Sequence, residues 1–329
     1  MLTDNKSMIW FRLGVGVLFM STFFIFKERQ DDRRLSSKTI PSIISTNLAD
    51  VNEPLGLTDT PFFWHIPKSA GSTATEFFFC MGLTLACQAG KLRGHENDKT
   101  LETFQPWINR KAVNVDTSTI AGLQSAQSRG FAQSLLADVV VSGHLYDVSD
   151  IFDTIFRLRV TTLFRHPIDR ATSLFYYLQD AHWEKHYAPE TKDWTITQYV
   201  QSKLCPKNWM ISKLLHDGKY STGDQAKDLE IAKTILRDKF LIGLTDRIEE
   251  SFERFDKYFN FDDDPGTVKM CSSKLLSEGN GINIHNHPEI QHGSKDWKAL
   301  EDANMWDIRL YEYAVFLYHK QADLFVQDA

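Results

Sequence analysis

Four short runs of apolar residues, separated by segments with helical patterns, constrain the fold of this chain more than any other feature. Apolar runs without alternation are typical of strands buried on both faces, as in parallel sheets covered by helices. The sequence therefore predicts an α/β fold with a parallel sheet flanked by helices on both faces. In such sheets ligands bind at the carboxyl ends of the strands. The predicted strands are 62–66, 137–143, 159–164 and 240–244.

Helical patterns fill much of the chain between and after these strands. Residues 88–130 have mixed patterns without a clear assignment, and residues 261–297, with their Gly, Asn and His, are predicted to form a long loop. The helix after the third strand begins with Pro167, where the missing N–H costs nothing. The predicted helices are 74–86, 167–179, 195–203, 207–216, 225–237, 248–259 and a C-terminal helix over 297–325 with one break.

The composition sets outer limits on function. Hydrophobic residues make up 42% of the 329 residues and 23 residues are Phe, so a sizeable core can form. The net charge of -6 argues against a nucleic-acid binder, whose phosphate contacts need a surplus of basic residues. A local basic pocket for one small anionic ligand remains compatible with this charge.

The N-terminus carries a membrane signal. Residues 8–26 are apolar apart from Arg12, Ser21 and Thr22, and about 17–25 such residues can span a bilayer. No small-residue cleavage site follows, which favours an uncleaved transmembrane signal anchor over a cleaved signal peptide. The predicted organisation is a short tail at 1–7, the anchor at 8–26, a polar stem at 27–60 and one folded domain at 61–329.

The four cysteines contain no CxxC pair that would indicate a zinc site or a redox motif. Cys205 and Cys271 lie in loop-like surroundings and are candidates for a disulfide in an oxidising compartment. Four free buried thiols, with Cys80 and Cys87 included, are the alternative.

A phosphate-binding pattern follows the first strand, where a small-residue loop leads into a helix. Free N–H groups and the dipole at a helix start favour an anion, Gly71 lets the backbone approach it, and Lys68 adds a mobile cation. Lys68 precedes Gly71, so the order differs from the ATPase loop G-x-x-x-x-G-K-[ST]. An ordinary strand-turn-helix with a surface lysine is the alternative. The predicted phosphate-binding residues are Lys68, Ser69, Ala70, Gly71, Ser72 and Thr73.

A second pattern follows the third strand. Arg165 stands at the end of that strand, and Ser173 lies two turns into the next helix, from where it can face back toward Arg165. A guanidinium and a hydroxyl that converge on one point suit a phosphate monoester. Arg170, in the first turns of the helix, is predicted to be a surface or ion-pair residue.

Both segments resemble a known family. Pro-Lys-Ser-x-Gly-[ST]-[ST] after an aromatic strand resembles the 5′-phosphosulfate loop of sulfotransferases that use 3′-phosphoadenosine 5′-phosphosulfate (PAPS), and HIPKSAGST is most similar to the Golgi carbohydrate branch, including heparan sulfate 2-O- and 6-O-sulfotransferases. The pattern R-x-P-x-x-R-x-x-S-x-[FY]-[FY] at 165–176 resembles the motif that holds the 3′-phosphate of PAPS. Diffuse similarity extends over about 61–325, and Met210 stands where the family has Gln.

The resemblance implies a P-loop-like PAPS-binding sulfotransferase fold and transfer of the sulfuryl group to an acceptor hydroxyl or amine, with PAP as the departing product. It implies that the loop and Thr73 hold the 5′-phosphate, that Arg165 and Ser173 hold the 3′-phosphate, and that Lys68 neutralises the bridging oxygen. His144, in a Gly-His pair after the second strand, takes the place of the general base; a histidine satisfied within the structure is the alternative. No metal is expected.

The acceptor is expected to be a glycan, and Trp183, Tyr187 and Trp194 are candidates for stacking on sugars. Three polar residues, His182, Glu184 and His186, are candidates for lining the acceptor site. Two further histidines, His65 and His166, are interpreted as structural or ligand-orienting. The cluster of His285, Asn286, His287 and His292 is interpreted as a loop that contacts adenine or solvent.

The resemblance also implies a Golgi membrane protein of type II with a lumenal catalytic domain. Basic residues after the anchor outnumber those before it, which by the positive-inside rule would place the domain in the cytosol. The alternatives for function are a sterol or other small-molecule sulfotransferase, a nucleotide-dependent kinase, and an inactive PAPS-binding membrane protein.

Overall fold

The computed structural model describes residues 40–262, 264–276 and 288–325. The predicted tail and anchor, at 1–26, lie outside these residues, as does the first part of the predicted stem, 27–39. Within the described ranges the strands are β1 (Thr60–Trp64), β2 (Thr84–Ala86), β3 (Thr103–Trp107), β4 (Arg110–Val113), β5 (Val139–Ser142), β6 (Leu158–Phe164) and β7 (Phe240–Leu244).

Helices alternate with these strands. In chain order they are α1 (Ser42–Asn47), α2 (Gly71–Cys80), α3 (Ile120–Ser128), α4 (Phe131–Ser134), α5 (Leu145–Ser149), α6 (Pro167–Asp180), α7 (Ile196–Gln201), α8 (Trp209–Leu214), α9 (Gln225–Lys239), α10 (Ile248–Phe259), α11 (Pro265–Leu276), α12 (Lys295–Ala303) and α13 (Met305–Lys320). Short 3₁₀ segments occupy Gln88–Asn97, Pro189–Asp193, Thr245–Arg247 and Gln321–Phe325.

In the part of the chain that the structure describes, seven strands form one sheet in the order β3-β4-β2-β5-β1-β6-β7. Only the edge strand β3 runs antiparallel to its neighbour. The α/β class with a mostly parallel sheet flanked by helices is thus as predicted. Every residue of β6 and of β7 is buried, as expected for strands of a parallel sheet that is covered on both faces.

The strand register aligns the ends of the central strands. Trp64 of β1 pairs with Ser142 of β5, and Phe164 of β6 pairs with Leu244 of β7. Because these strands are parallel, the loops that follow them emerge at the same edge of the sheet. Both predicted phosphate-binding segments begin at this edge.

An aromatic core fixes the helix behind the first of these segments. Phe77 of α2 stacks on Phe252 of α10 with ring centroids 4.0 Å apart, and Phe78 lies edge-on to Phe63 of β1. All four rings are buried, and full burial of one such side chain stabilises the fold by about 1.5–3 kcal/mol. The helix start therefore sits on a rigid base.

A disulfide joins Cys80, at the end of α2, to Cys271 of α11. The predicted candidate pair, Cys205 with Cys271, is therefore wrong, and so is the alternative of four free thiols. Cys87 and Cys205 are free and buried. The pairing could not be predicted because α11 lies in the segment expected to be a loop, so its contact with α2 was hidden.

Three boundaries differ from the prediction. The helix predicted over 74–86 ends at Cys80, because Gly82 adopts a left-handed turn (φ 78°) and Thr84–Ala86 then pairs with β4 and β5. The segment 261–297 contains α11. Residues 42–60, predicted as stem, belong to the compact unit that begins at Ser42, since Ile44 and Leu48 are buried and Leu48 bridges to Leu158.

Candidate functional site

The loops at the carboxyl edge of the sheet enclose an open cleft with a volume of about 1090 Å³. Both predicted phosphate-binding segments contribute to its wall, although they are far apart in the sequence. Of the predicted residues, Lys68, Ala70, Gly71, Ser72, Thr73, Arg165 and Ser173 line the cleft. Ser69 is buried beside it, and its Oγ has no hydrogen-bond partner among the described residues.

The first loop has an unusual backbone. Lys68 and Ala70 both adopt left-handed conformations, with φ values of 65° and 59°. Such conformations are uncommon for residues other than Gly and cluster at functional sites. Ala70 is the N-cap of α2, and no side chain caps this helix end. The first-turn N–H groups of an α-helix lack intrahelical acceptors, so this end is suited to an anion.

Gly71 is required by its contact with His65. A Cβ at this position would lie 1.9 Å from Cδ2 of the His65 ring, a distance that no real contact reaches. Loss of solvation lowers the pKa of His65 to about 4, while Glu184 opposes this shift and Lys68 adds to it. His65 is therefore neutral near neutral pH. Its ring packs on the loop, in agreement with a structural interpretation.

Lys68 lies in an environment that disfavours its charge. Its Nζ sits 3.8 Å above the centroid of the Tyr177 ring. Loss of solvation and the nearby Arg165 lower the pKa of Lys68 to about 8, and Glu184 opposes the shift. An anion bound at this position would favour the ammonium form and raise this pKa. The ammonium group is thus prepared to neutralise negative charge that a ligand brings.

Arg165 joins the two segments. Its Nη1 donates a hydrogen bond to the carbonyl oxygen of Lys68 over 3.2 Å, and loss of solvation lowers its pKa. Ser173 follows on α6 and is 5% exposed. Arg165 also borders a second hollow of about 640 Å³, which His166, Trp297 and Tyr311 line.

The prediction that Arg170 is a surface or ion-pair residue is wrong. Its side chain is fully buried and lines the cleft, and it forms no ion pair with a residue that the structure describes. None of its three guanidinium nitrogens has a hydrogen-bond partner among the described residues. A charged residue in the first turns of a helix normally indicates exposure, so local sequence could not reveal this burial.

His144, the predicted base, lies beside the cleft but does not line it. It is the N-cap of α5, its side chain is 37% exposed, and its Nε2 is 3.2 Å from the carbonyl oxygen of Ser118. A carbonyl only accepts, so Nε2 carries the proton and Nδ1, 3.6 Å from the Asp147 carboxylate, is the basic nitrogen of the neutral ring.

Residues outside the two motifs complete the cleft. Among the candidates for the acceptor site, Trp183, Glu184 and His186 line it, whereas His182, Tyr187 and Trp194 do not. The Glu184 carboxylate accepts a hydrogen bond from the Tyr177 hydroxyl over 2.8 Å. The sequence did not single out the other lining residues as a site, since they are scattered along the chain: Gln88, Leu178, Lys203, Leu204, Pro206, Trp209, Thr245, Ile248 and Leu276.

Outside the cleft, His95, Asp98 and Glu102 offer ligand atoms that lie within 4.8 Å of one another. The sequence had indicated no metal-ligand spacing. Nδ1 of His95 contacts the Asp98 carboxylate over 2.7 Å, and Asn114 also donates to Asp98. None of the three lines the cleft. Of the predicted histidine cluster, 285–287 lies outside the described residues and His292 is exposed next to Trp297.

Comparison with protein-family models gives no match to this chain, and comparison with curated proteins gives none either. Within the described ranges, no helix combines the length and apolar character needed to cross a bilayer.

Proposed function

We propose that this chain is a sulfotransferase that moves the sulfuryl group of PAPS to an acceptor hydroxyl or amine. The observation that supports this most is the meeting of two anion-binding segments, one around Lys68 and one around Arg165, in a single cleft at the carboxyl edge of a parallel sheet. PAPS carries one phosphate at each end of its ribose, which matches two separate anion positions. A P-loop-like sulfotransferase fold is part of the same proposal.

The residues present fit such a donor. The uncapped start of α2 and the enclosed Oγ of Ser69 offer donors to the 5′-phosphate, together with Thr73. Gly71 lets this loop pack against the His65 ring, where a Cβ would overlap the ring atoms. Arg165 and Ser173 hold the 3′-phosphate in this assignment, since a guanidinium binds a phosphate with two parallel hydrogen bonds.

PAPS supplies an activated sulfuryl group, and the protein contributes positioning and charge. Lys68 neutralises the negative charge that develops on the bridging oxygen as the phosphate departs, as expected for a reaction like phosphoryl transfer. Loss of solvation and the nearby Arg165 lower the pKa of Lys68, so a negative charge that develops beside Nζ stabilises its ammonium form. No protein-bound metal is part of this scheme.

The base is assigned to His144, whose Nδ1, 3.6 Å from the Asp147 carboxylate, accepts a proton from the acceptor in this scheme. A positioned base contributes about 10²–10⁴-fold. Glu184 is a competing candidate because it lines the cleft and His144 does not. The pH–rate profiles of His144→Ala and Glu184→Gln separate them: a base acts only when it is unprotonated, so the variant whose profile loses the fall in rate at low pH lacks the base. An unchanged kcat in His144→Ala would remove the assignment.

The proposed acceptor is a glycan, with Trp183, 63% exposed in the cleft wall, as a stacking surface. A sterol or other small molecule is the alternative acceptor. The Cys80–Cys271 disulfide supports a lumenal Golgi location behind a type II anchor, because disulfides persist in oxidising compartments. Protease protection of the domain in intact microsomes tests this placement; digestion without detergent would contradict it.

The donor assignment is tested by thermal shift with PAP and with ATP. PAP should raise the unfolding temperature more than ATP does, because only PAP carries a 3′-phosphate. Arg165→Ala should abolish this difference and transfer from labelled PAPS, and Lys68→Ala should abolish transfer while PAP still binds. Preference for ATP would favour a kinase, and PAP binding without transfer to any glycan or small-molecule pool would favour an inactive binding protein.

A further inference from the structure

Arg170 holds hydrogen-bond donors that the protein does not use. Its Nε, Nη1 and Nη2 are all enclosed, and none of them has an acceptor among the described residues. Buried charges in proteins are normally paired and hydrogen-bonded, because an unsatisfied buried donor is expensive. Packing alone therefore does not explain why a fully buried guanidinium has N–H groups without acceptors.

The buried carboxylate of Asp307 does not accept these hydrogen-bond donors. Asp307 of α13 is also fully buried and influences Arg170 electrostatically, but no ion pair joins them within 4.0 Å in the described part of the chain. The Asp307 carboxylate instead accepts the backbone N–H groups of Met210 and Ile211 over 2.9 and 3.0 Å. Asp307 offsets the charge of Arg170 and leaves its donors unused.

The position of Arg170 points to the cleft. It stands three residues before Ser173 on α6, so both side chains share one face of the helix. Its Cζ lies 5.3 Å from the ring centroid of Trp209, which stacks on Trp64 at the end of β1. Among the described residues that line the cleft, Glu184 is the only acid, and it accepts from Tyr177.

We propose that Arg170 forms a third oxyanion subsite in the cleft, which takes a carboxylate or sulfate group carried by the acceptor. This rests on the proposed function, in which Arg165 with Ser173 and the Lys68 loop already account for both phosphates of the donor. The planar guanidinium suits two parallel hydrogen bonds to such a group. Because its nitrogens are enclosed, the loop at 202–208, which contributes Lys203, Leu204 and Pro206 to the wall, shifts when the anion enters.

The test uses the full chain saturated with PAP, which occupies the other two anion positions. Calorimetry then follows binding of inorganic sulfate, and of p-nitrophenyl β-glucuronide against p-nitrophenyl β-glucoside, which lacks the carboxylate. The wild type should prefer the glucuronide, and Arg170→Met should weaken sulfate and glucuronide by about tenfold to a hundredfold. Arg170→Lys should retain part of the affinity.

Lys213→Met is the matched control. Lys213 lies 6.0 Å from the centroid of the same Trp209 ring but pairs with Asp217 and does not line the cleft. It removes an equal charge from the same region, so its glucuronide preference should stay at the wild-type level. A loss as large as in Arg170→Met would mean that general electrostatics produce the effect, which overturns the subsite.

The outcomes separate the possible sources of the anion. If folded Arg170→Met binds sulfate and glucuronide as the wild type does, no oxyanion subsite exists. If Arg170→Met instead weakens PAP, and PAP displaces sulfate from the wild type, the anion belongs to the donor and the acceptor assignment is wrong. If the wild type does not bind PAP, the proposed function is wrong. The oxyanion subsite is then still tested by comparing sulfate binding between the wild type and Arg170→Met. Should Arg170→Met not fold, Arg170→Lys carries the same comparison.

Discussion

Two buried arginines at opposite ends of the sheet differ in the hydrogen bonds that their guanidinium groups make. Arg159, in the first part of β6, is 1% exposed and uses all of its guanidinium nitrogens, whereas Arg170, beyond the carboxyl end of β6, is 0% exposed and uses none among the described residues. The acceptors of Arg159 are the Asp59 carboxylate, the Tyr258 hydroxyl and the carbonyl oxygens of Asp50, Glu53 and Pro54.

This difference in hydrogen bonding distinguishes an arginine that stabilises the fold from one at the proposed functional site. Arg159 ties the segment before β1 to the sheet, and every donor that it brings into the interior is satisfied, as stable interiors require. At the other end, the Arg170 guanidinium and the Ser69 Oγ have no hydrogen-bond partner within the described ranges, and Lys68 and Ala70 have left-handed backbones. Unused donors and backbone strain thus lie together at the edge where ligands bind in such sheets.

The largest expected effect tests this contrast through stability. Arg159→Met should lower the free energy of unfolding by about 3–5 kcal/mol, because the buried Asp59 carboxylate loses its 2.8 Å ion pair and keeps the longer 3.5 Å contact to Arg157 and the Gly56 N–H. Arg170→Met should cost less, about 1–2 kcal/mol: Arg170 makes no hydrogen bond among the described residues, and Asp307, whose charge it offsets, keeps its two backbone N–H donors. Urea unfolding followed by circular dichroism measures both. Equal losses would show that Arg170 is a structural residue as well.

Gly71→Ala is expected to have the next largest effect, at the open edge of the sheet. The new Cβ would overlap the His65 ring, so the loop or the ring must move, at a cost of about 1–3 kcal/mol. PAP affinity should fall at least about tenfold, since phosphate binding here depends on loop geometry. Calorimetry measures the affinity and urea unfolding the stability.

Gly143→Ala is the control for Gly71→Ala. It places a Cβ on the other side of the same residue, 3.4 Å from the carbonyl oxygen of His65, which is an ordinary contact. The loss of stability should therefore be smaller than for Gly71→Ala. If the two variants were equally stable and Gly71→Ala bound PAP normally, the close approach of His65 and Gly71 would not matter for the loop.

Local sequence predicts the parts of this fold that local forces form. The bounds of β7 and α10 agree with the predicted 240–244 and 248–259, because one is an unbroken apolar run and the other has a regular apolar face. Thr84–Ala86 was predicted as helix because a three-residue strand has little signal of its own and forms only between β4 and β5.

The candidate site divides in the same way. The residues of the two motifs could be found because each motif is contiguous in sequence. The burial of Arg170 depends on Asp307 and Trp209, which reach it only through the packing of α8 and α13 against α6. Gln88, Thr245 and Leu276 line the cleft from three separate elements and carry no pattern of their own.

The smallest expected effect is the uptake of a fraction of a proton when PAP binds. It distinguishes Lys68 from Arg170, which lies at the same edge of the sheet. Loss of solvation lowers the pKa of Lys68 from its ordinary 10.5 to about 8, so free Lys68 is partly neutral between these values. A bound anion favours the ammonium form and raises this pKa, so PAP binding at about pH 9 takes up protons. Near pH 7 Lys68 is charged in both states, and the uptake should vanish.

Calorimetry at about pH 9 in two buffers with different ionisation enthalpies gives the number of protons taken up. Lys68→Met should abolish the uptake. Arg170→Met should leave it unchanged, because a guanidinium keeps its proton at this pH whether or not an anion is bound. Uptake that persists in Lys68→Met would place the titrating group elsewhere. In that case Lys68 would be a structural cation, as Arg159 is, and would not respond to the bound anion.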